Sequence, residues 1–376
     1  MKIGITCYPT MGGSGIIATE LGMMMAERGH DVHFITSNTP FRIQFQRPNI
    51  TLHQVDVNQY AVFQYPPYDI TLATKIAEVI NNYDLDVLHM HYAVPHAICG
   101  ILARQIARKD VKIVTTLHGT DITVLGYDST LREAIKFGIE ESDVVTSVSD
   151  ALIEETKQVI NPNKDIVTVY NFINEKDFAI SINPDIKRNY GIPDDYKVIT
   201  HVSNFRKVKR IQDIIHTFKK IRSQIKVKLL LIGDGPELSK MRQLAKKLGV
   251  AEDVLFIGKQ EQVAPFYQMS DLFLLMSEKE SFGLVLLEAM YCGVVCIGTR
   301  AGGIGEVIRH NETGLLVDVG DTEAASQYAI RLLTDEEYYK DLQLHMLVDI
   351  KKRFASAHIT DQYEQLYQEL IDGQSK

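Results

Sequence analysis

The sequence predicts an α/β protein of two doubly wound domains, and three observations carry that prediction. A chain of 376 residues is long enough for about two domains, each with its own core. Near the start, Lys2 to Cys7 alternates like a buried strand, Pro9 to Gly15 reads as a glycine-rich turn, and Ile16 to Ala26 is helical and closed by Gly29. Strand, glycine loop and helix make one βα unit. From Val198 onward the same plan begins again.

In order, the second strand runs from Asp31 to Thr36, and residues 37–69 are loop-rich and aromatic, ending in Val62-Phe63-Gln64-Tyr65-Pro66-Pro67-Tyr68-Asp69. Long loops at strand ends carry function or move. Ile70 to Asn81 reads as a helix, and Asp86 to Met90 as a strand leading into His91-Tyr92-Ala93-Val94-Pro95-His96. Lys112 to Leu117 is a strand that delivers His118-Gly119-Thr120-Asp121 at its carboxyl end, where open α/β sheets bind ligands. Leu131 to Ser142 is helical, with Arg132, Lys136 and Glu140 on successive turns of one face. Val144 to Ser147 is a strand, and Ser149 caps the next helix. The second half reads as strands at Val198 to Val202, Lys228 to Ile232, Val254 to Ile257 and Leu272 to Met276. A helix from Leu284 to Met290 ends at Gly293, followed by a β-rich piece (Val294 to Ile297) and a glycine turn (Ala301 to Gly305). Glu323 to Thr334 and Asp361 to Ile371 are amphipathic helices.

Composition narrows the class. Apolar content of 45% and charged content of 23% suit a soluble globular protein. No apolar run approaches the roughly 18 residues that span a bilayer, and MKIGITCYPT lacks the apolar core and cleavage site of a signal peptide, so a cytoplasmic protein is expected. Cys7, Cys99, Cys292 and Cys296 form no C-x-x-C pair and read as buried thiols. A net charge of −8 argues against nucleic acid as a partner. Residues 1–165 hold 13 Lys plus Arg against 19 Asp plus Glu, a net of −6, which argues against a basic membrane-facing surface.

The richest stretch is Ser277 to Glu306, SEKESFGLVLLEAMYCGVVCIGTRAGGIGE. Ser281 is placed to cap the helix, whose free amides and positive dipole end then point toward Glu280 and suit an anion. Glu288 follows eight residues after Glu280. Carboxylates for hydroxyls around amides for a diphosphate make the chemistry of a nucleotide-sugar. In Ser203-Asn204-Phe205-Arg206-Lys207-Val208-Lys209-Arg210, Arg206 and Lys209 are the phosphate candidates, the first bidentate and the second a point charge. The first loop, with Gly13, Ser14 and Gly15, lets backbone approach a ligand and offers amides to an anion. It is not G-x-G-x-x-G, and the second strand ends in Ser37-Asn38 without the ribose-binding acid of a dinucleotide fold. His89 and His91 share a strand face, but no carboxylate or Cys nearby completes a metal set. No Asp-x-Asp motif stands at a strand end, and no metal or cofactor is expected.

The context E-S-F-G-L-V-L-L-E-A-M-x-x-G resembles the E-x7-E signature of retaining glycosyltransferases of family four, and the resemblance covers nearly the whole chain. It implies the GT-B fold, two Rossmann-like domains facing across a cleft. It places the first domain at 1–165 plus a returning C-terminal helix, 356–376, and the nucleotide-sugar domain at 166–355, with Tyr170-Asn171-Phe172-Ile173 as the crossover. It gives Glu280 the transferred sugar, Glu288 the ribose, and His118 of H-G-T-D the donor sugar. Gly13, Gly15, Asn171, Arg206, Lys209, Gly258, Ser281, Phe282, Gly283 and Leu284 join Glu288 as donor-binding residues. The basic loop departs from the family: Asn204 stands five residues before Lys209, where an Arg is usual, and Arg206 only three before.

PTMGGSGIIATELG, VFQYPPYD, HYAVPHA, TTLHGTDITVLG, VYNFI, SNFRKVKR and SEKESFGLVLLEAM are similar to a narrower branch of that family, the one opening bacillithiol synthesis. The likeness implies UDP-N-acetylglucosamine (UDP-GlcNAc) as donor, L-malate as acceptor and front-face transfer with retention. Ser14, Tyr92 and Thr120 are then acceptor-side residues, and Arg42, Arg132 and Lys136 are the cations among which the acceptor carboxylates choose. Three other readings stay open: a family-four transferase with an inositol phosphate or lipid acceptor, a UDP-GlcNAc epimerase, and a non-catalytic sugar- or nucleotide-binding protein. The oligomeric state is open too, a homodimer or higher homo-oligomer included.

Overall fold

The structure, a computed structural model, describes residues 1–9, 12–41, 43, 47–59, 61–62, 64–181 and 184–373. Two compact units divide the chain, one from Met1 to Phe172 with the segment from Ser356 onward, the other from Ile173 to Ala355.

The first unit is organised by a parallel sheet of β1 (Lys2–Thr6), β2 (Asp31–Thr36), β3 (Ile50–Gln54), β4 (Val87–His91), β5 (Lys112–Leu117), β6 (Val144–Ser147) and β7 (Ile166–Thr168). Among the described residues their order is β3-β2-β1-β4-β5-β6-β7. β4 is buried along its whole length, and β5 beyond its first residue, as parallel strands covered on both faces must be. Leu72, Ile76 and Ile80 of the helix Tyr68–Tyr83 pack with Leu88, Met90, Ile101 and Ile113 on one side. Each such aliphatic side chain contributes roughly 1.5–3 kcal/mol when fully buried.

Three expectations shift here. The glycine turn is shorter than expected, because the helix begins at Gly13 and runs to Glu27, with Gly12 extended before it. First-turn amides need no helical partner, and burial of Ile17, Leu21 and Met25 outweighs the roughly 1 kcal/mol that each glycine costs. β3 lies inside the segment expected to be loop; it pairs with β2 from Val32↔Ile50 to Thr36↔Gln54, and only Ile50 of it is buried, which leaves a faint sequence signal. The units part after Phe172, not after residue 165, because β7 pairs with β6 and extends the first sheet.

The last helix starts at Ser356, where the resemblance places the returning helix and five residues before the amphipathic stretch read from Asp361. It buries Ile359, Tyr363, Tyr367 and Leu370 within the first unit. The Tyr363 hydroxyl lies 3.2 Å from Thr116 Oγ1 and 3.3 Å from Thr146 Oγ1, and the Tyr367 hydroxyl 2.6 Å from His89 Nδ1. Arg28 pairs with Asp361 at 2.6 Å and with Glu364 at 2.5 Å on the rim.

The second unit holds β8 (Lys197–Val202), β9 (Val227–Ile232), β10 (Val254–Gly258), β11 (Leu272–Leu275), β12 (Cys296–Thr299) and β13 (Leu315–Val317), parallel in the order β10-β9-β8-β11-β12-β13. Ile214, Phe218, Leu229, Leu231, Leu274 and Ile297 meet in its core. β12 begins two residues later than expected: the Gly293 and Val294 amides turn back to the Met290 and Ala289 carbonyls and finish the preceding helix first. The 18-residue helix Glu336–Arg353 was not foreseen. Among the described residues no helix is long and apolar enough to cross a membrane.

In each sheet the strand order reverses direction at one point, between β1 and β4 and between β8 and β11. Ligands of doubly wound sheets bind outside the carboxyl ends of the strands at such a point.

Candidate active site

In the first unit, the carboxyl ends of β4 and β5 lie side by side, with His91 opposite Thr116 in register. His91 ends β4, and Tyr92 follows with a φ of 101°, a left-handed backbone that costs a tyrosine roughly 1–3 kcal/mol and is concentrated at working sites. The turn brings the half-buried Tyr92 ring 5.4 Å from that of His118. Ser14, in the first turn of the opening helix, and Thr120, after β5, both act on the Tyr92 hydroxyl through hydrogen bonds. Burial raises the Tyr92 pKa, and the Asp121 charge adds to that. Three of the expected acceptor-side residues therefore converge.

His118 Nε2 lies 2.8 Å from His91 Nδ1, and the two rings stack at 5.1 Å. Burial and the neighbouring His96 lower the His118 pKa to about 3, so the ring is neutral at physiological pH. Asp121 accepts hydrogen bonds from the Gly119 amide at 2.9 Å and the Ala93 amide at 3.3 Å, tying the β5 loop to the β4 loop. Burial raises its pKa to about 6 against those hydrogen bonds, and the sequence reading did not single it out. Its signal, an acid two residues after a strand-end glycine, is local and easily read as an ordinary helix start.

The cations predicted for the acceptor do not join this cluster. Arg132 is exposed and its Nε donates to the Gly126 carbonyl at 3.3 Å, while Lys136 leans to Glu140 at 3.9 Å. Arg42 lies outside the described residues. Gly13 is exposed and Gly15 buried in the helix's first turn; Asn171 is half-buried where the chain leaves the first sheet. His89, its ring 4.2 Å from that of His91, is a buried core residue bonded to Tyr367 and to Thr116. Among the described residues no group of three or more His, Cys, Asp or Glu side chains could hold a metal ion. The four cysteines are free and buried.

In the second unit the loop after β8 carries Arg206 and Lys209, and the loop after β11 carries Glu280. Lys209 Nζ donates to Glu280 Oε2 at 2.5 Å, and Ser277 Oγ to the same oxygen at 3.4 Å. Arg206 is exposed and, among the described residues, without an ion-pair partner, whereas Arg210 is committed to Asp213 at 2.5 Å and Glu278 at 3.3 Å. The spacing that departs from the family pattern thus leaves Arg206 available and gives Arg210 a structural task.

Close backbone contacts fix both loops. A Cβ on Gly302 (φ +51°) would stand 2.1 Å from the Glu280 carbonyl oxygen, and one on Gly233 (φ +124°) 1.8 Å from that of Ser203. The Gly303 amide donates to the Glu280 carbonyl at 3.0 Å, and the Phe205 amide to that of Asp234 at 2.9 Å. The glycine turn expected at 301–305 is therefore a brace for the Glu280 loop.

Ser281 does not cap the next helix. Gly283 is the N-cap, at φ +93°, with no side-chain cap bond; the left-handed turn that only glycine takes readily swings residue 281 out of capping position. Phe282 is buried edge-on against Phe354 at 5.7 Å, so its ring belongs to the core of the unit. Leu284 opens the helix. Glu288 is more enclosed than expected: it is buried, and the Tyr267 hydroxyl donates to its Oε2 at 2.8 Å. The Gly258 carbonyl accepts from the Gly233 amide at 2.9 Å. A cavity of about 460 Å³ elsewhere in the unit, near Lys197, Asp271 and Tyr339, lies at the amino ends of β8 and β11 and away from these residues.

Two family models match the chain, Glycosyltransferase Family 4 over residues 11–177 and Glycosyl transferases group 1 over residues 182–344. The chain is 56% identical to the N-acetyl-alpha-D-glucosaminyl L-malate synthase of Bacillus anthracis, over 99% of this chain and 97% of that one. It is 25% identical to the D-inositol 3-phosphate glycosyltransferase of Corynebacterium efficiens, over 95% of this chain and 90% of the relative. Among solved structures, a glycosyltransferase from Rickettsia africae superposes with a TM-score of 0.84 at 19% identity, covering 100% of this chain and 99% of the other. Anabaena Alr3699/HepE in complex with UDP and glucose gives 0.82 at 19%, covering 98% and 99%. With two parallel-sheet units, both family models in sequence along it and a 56% identical relative over nearly its full length, this chain belongs to the GT-B glycosyltransferases of family four.

Proposed function

We propose that the protein transfers N-acetylglucosamine from UDP-GlcNAc to the hydroxyl of L-malate with retention of the α configuration, the opening step of bacillithiol synthesis, in the cytoplasm and without a metal. The observation that carries the reading is the 56% identity over 99% of the chain to a relative of that name; the inositol-phosphate relative stands at 25%.

The chemistry at each switch point suits the reading. In the second unit, Arg206 and Lys209 would neutralise the diphosphate, with the amides around Gly283 and Leu284 adding donors at a helix start. Glu280, already held by Lys209 and Ser277, would take a sugar hydroxyl, and Glu288, held by Tyr267, a ribose hydroxyl. In the first unit, neutral His118 would orient the sugar, and Ser14, Tyr92 and Thr120 would receive the acceptor. Malate's hydroxyl attacks the anomeric carbon on the face from which UDP departs; the C1–O bond to the diphosphate breaks as the new C1–O bond forms. The departing diphosphate oxygen takes the hydroxyl proton, so no protein base is required. The protein's work is positioning and charge stabilisation.

The test is direct. The purified protein is incubated with UDP-GlcNAc and L-malate in EDTA, and UDP and product are followed by mass spectrometry, with the anomeric configuration read by NMR. The expected result is malate-dependent formation of α-N-acetylglucosaminyl malate. UDP release without that product would discard the acceptor, and turnover only after metal addition would discard metal independence.

A further inference from the structure

Two imidazoles meet where β4 and β5 end, and their shared hydrogen bond decides what His118 can offer a ligand. We infer that His91 is a positioning residue that holds His118 in the tautomer with its proton on Nδ1, so that His118 presents a hydrogen-bond donor to the site.

His91 Nδ1 and His118 Nε2 stand 2.8 Å apart. Burial and the surrounding imidazoles keep both rings neutral, so each carries one N–H and the bond between them holds one proton. If His118 supplied it from Nε2, His91 would have to carry its own proton on Nε2. That nitrogen is buried and has no hydrogen-bond partner among the described residues. Neither neighbouring imidazole serves it: both nitrogens of His89 are engaged, by the Tyr367 hydroxyl and by Thr116, and His96 Nε2 makes no hydrogen bond either. A buried N–H without an acceptor costs more than a lone pair without a donor. The proton therefore comes from His91 Nδ1, and the orphaned atom is a bare lone pair.

His96 shows that this fold accepts that arrangement. Its Nδ1 faces a carbonyl, which only accepts, so its Nε2 is also a bare and buried lone pair without a partner among the described residues. His118, accepting at Nε2, must then hold its proton on Nδ1. The side chain is partly exposed, and its Nδ1 has no protein partner among the described residues. It is free to donate to a hydroxyl oxygen of the transferred sugar, the one clause that rests on the function proposed above.

The protein is labelled with ¹⁵N-histidine, and long-range proton–nitrogen correlations are recorded, with His118→Gln identifying the resonances of interest. The expected spectrum shows His118 protonated at Nδ1 in the unliganded wild type. His91→Asn keeps a donor, since the Asn Nδ2 occupies the place of the His Nδ1. It should preserve that tautomer and stay within a few-fold of wild-type kcat. His91→Phe removes the donor and should release His118 toward the Nε2–H form with a loss in kcat of about tenfold. His118 protonated at Nε2 in the wild type would overturn the inference, and so would an unchanged tautomer in a folded His91→Phe protein. The wild-type spectrum needs neither a variant nor turnover, so a failure of the proposed reaction is distinguishable from a failure here.

Discussion

At Glu280 and Lys209, two opposite charges share one hydrogen bond of 2.5 Å, and the proposed reaction assigns both to the donor. Glu280→Gln keeps the shape but removes the charge that holds Lys209, and kcat should drop about a hundredfold through misplacement of the sugar. Because the two groups work as a pair, Lys209→Ala added to it should cost much less than Lys209→Ala alone. Initial rates of the four proteins test this, and strict additivity would contradict it. Tyr267→Phe deletes a donor to a buried carboxylate and should lower stability by about 1–3 kcal/mol, read as a shift of the urea midpoint. The imidazoles of His89 and His118, lowered to about 3 by burial, and of His96, lowered to about 4, set a pH dependence. From pH 6.5 downward the unfolded chain binds protons that the native chain refuses, so stability should fall as pH falls toward 4. Asp121, raised to about 6 from 3.8, acts in the opposite sense between those values, one carboxyl against several imidazoles. A urea midpoint that stays level from pH 7 to 5 would refute the balance. At this scale the sequence made the positions of Glu280, His118 and Lys209 legible, since each stands in the loop that follows a readable strand. It could not show that Ser281 misses its cap or that Glu288 is buried under Tyr267, because both depend on a left-handed glycine and on a partner 21 residues away.

Among the elements, strand ends and the loops that brace them decide the geometry. Gly302→Ala would force a Cβ to 2.1 Å from the Glu280 carbonyl, at a backbone angle alanine resists, so the two loops must separate. A loss of at least tenfold in activity is expected, with a smaller loss of thermal stability, because the displaced loop carries Glu280 and little of the core. An alanine variant of wild-type activity would show that the brace is dispensable. Gly305→Ala, where nothing stands within 4 Å, is the matched control. Most strands were legible within a residue or two, since buried parallel strands are short apolar runs; Asp31–Thr36, Lys112–Leu117 and Val144–Ser147 have the bounds expected of them. β3 was not, being an edge strand with polar residues on its exposed side. The helix Glu336–Arg353 was missed for a related reason, as apolar Leu344 and Val348 lie on its exposed side and blur the periodicity.

For the whole molecule, the fold class was legible because the same strand–loop–helix plan recurs in each half. The crossover expected at Tyr170 to Ile173 spans the point where the units part, but the first domain was ended several residues early, at 165, because β7 is three residues long and only its pairing to β6 reveals it. The last helix is the feature with the longest reach. Tyr363 and Tyr367 close the hydroxyl and imidazole network across β4, β5 and β6, although the whole second unit separates them from those strands in sequence. Ending the chain at Ala355 should therefore strip hydrogen-exchange protection from β4 to β6 while leaving β8 to β13 protected. Equal protection in both units would deny the helix that role. The same connectivity imposes an order on synthesis. A ribosome releases the complete second unit before it has made the helix that finishes the first, so the first sheet waits with its tyrosine sites empty through some 180 further residues of elongation. A message cut short anywhere in that interval leaves a product in which the strand that carries His118 rests on an unfinished floor.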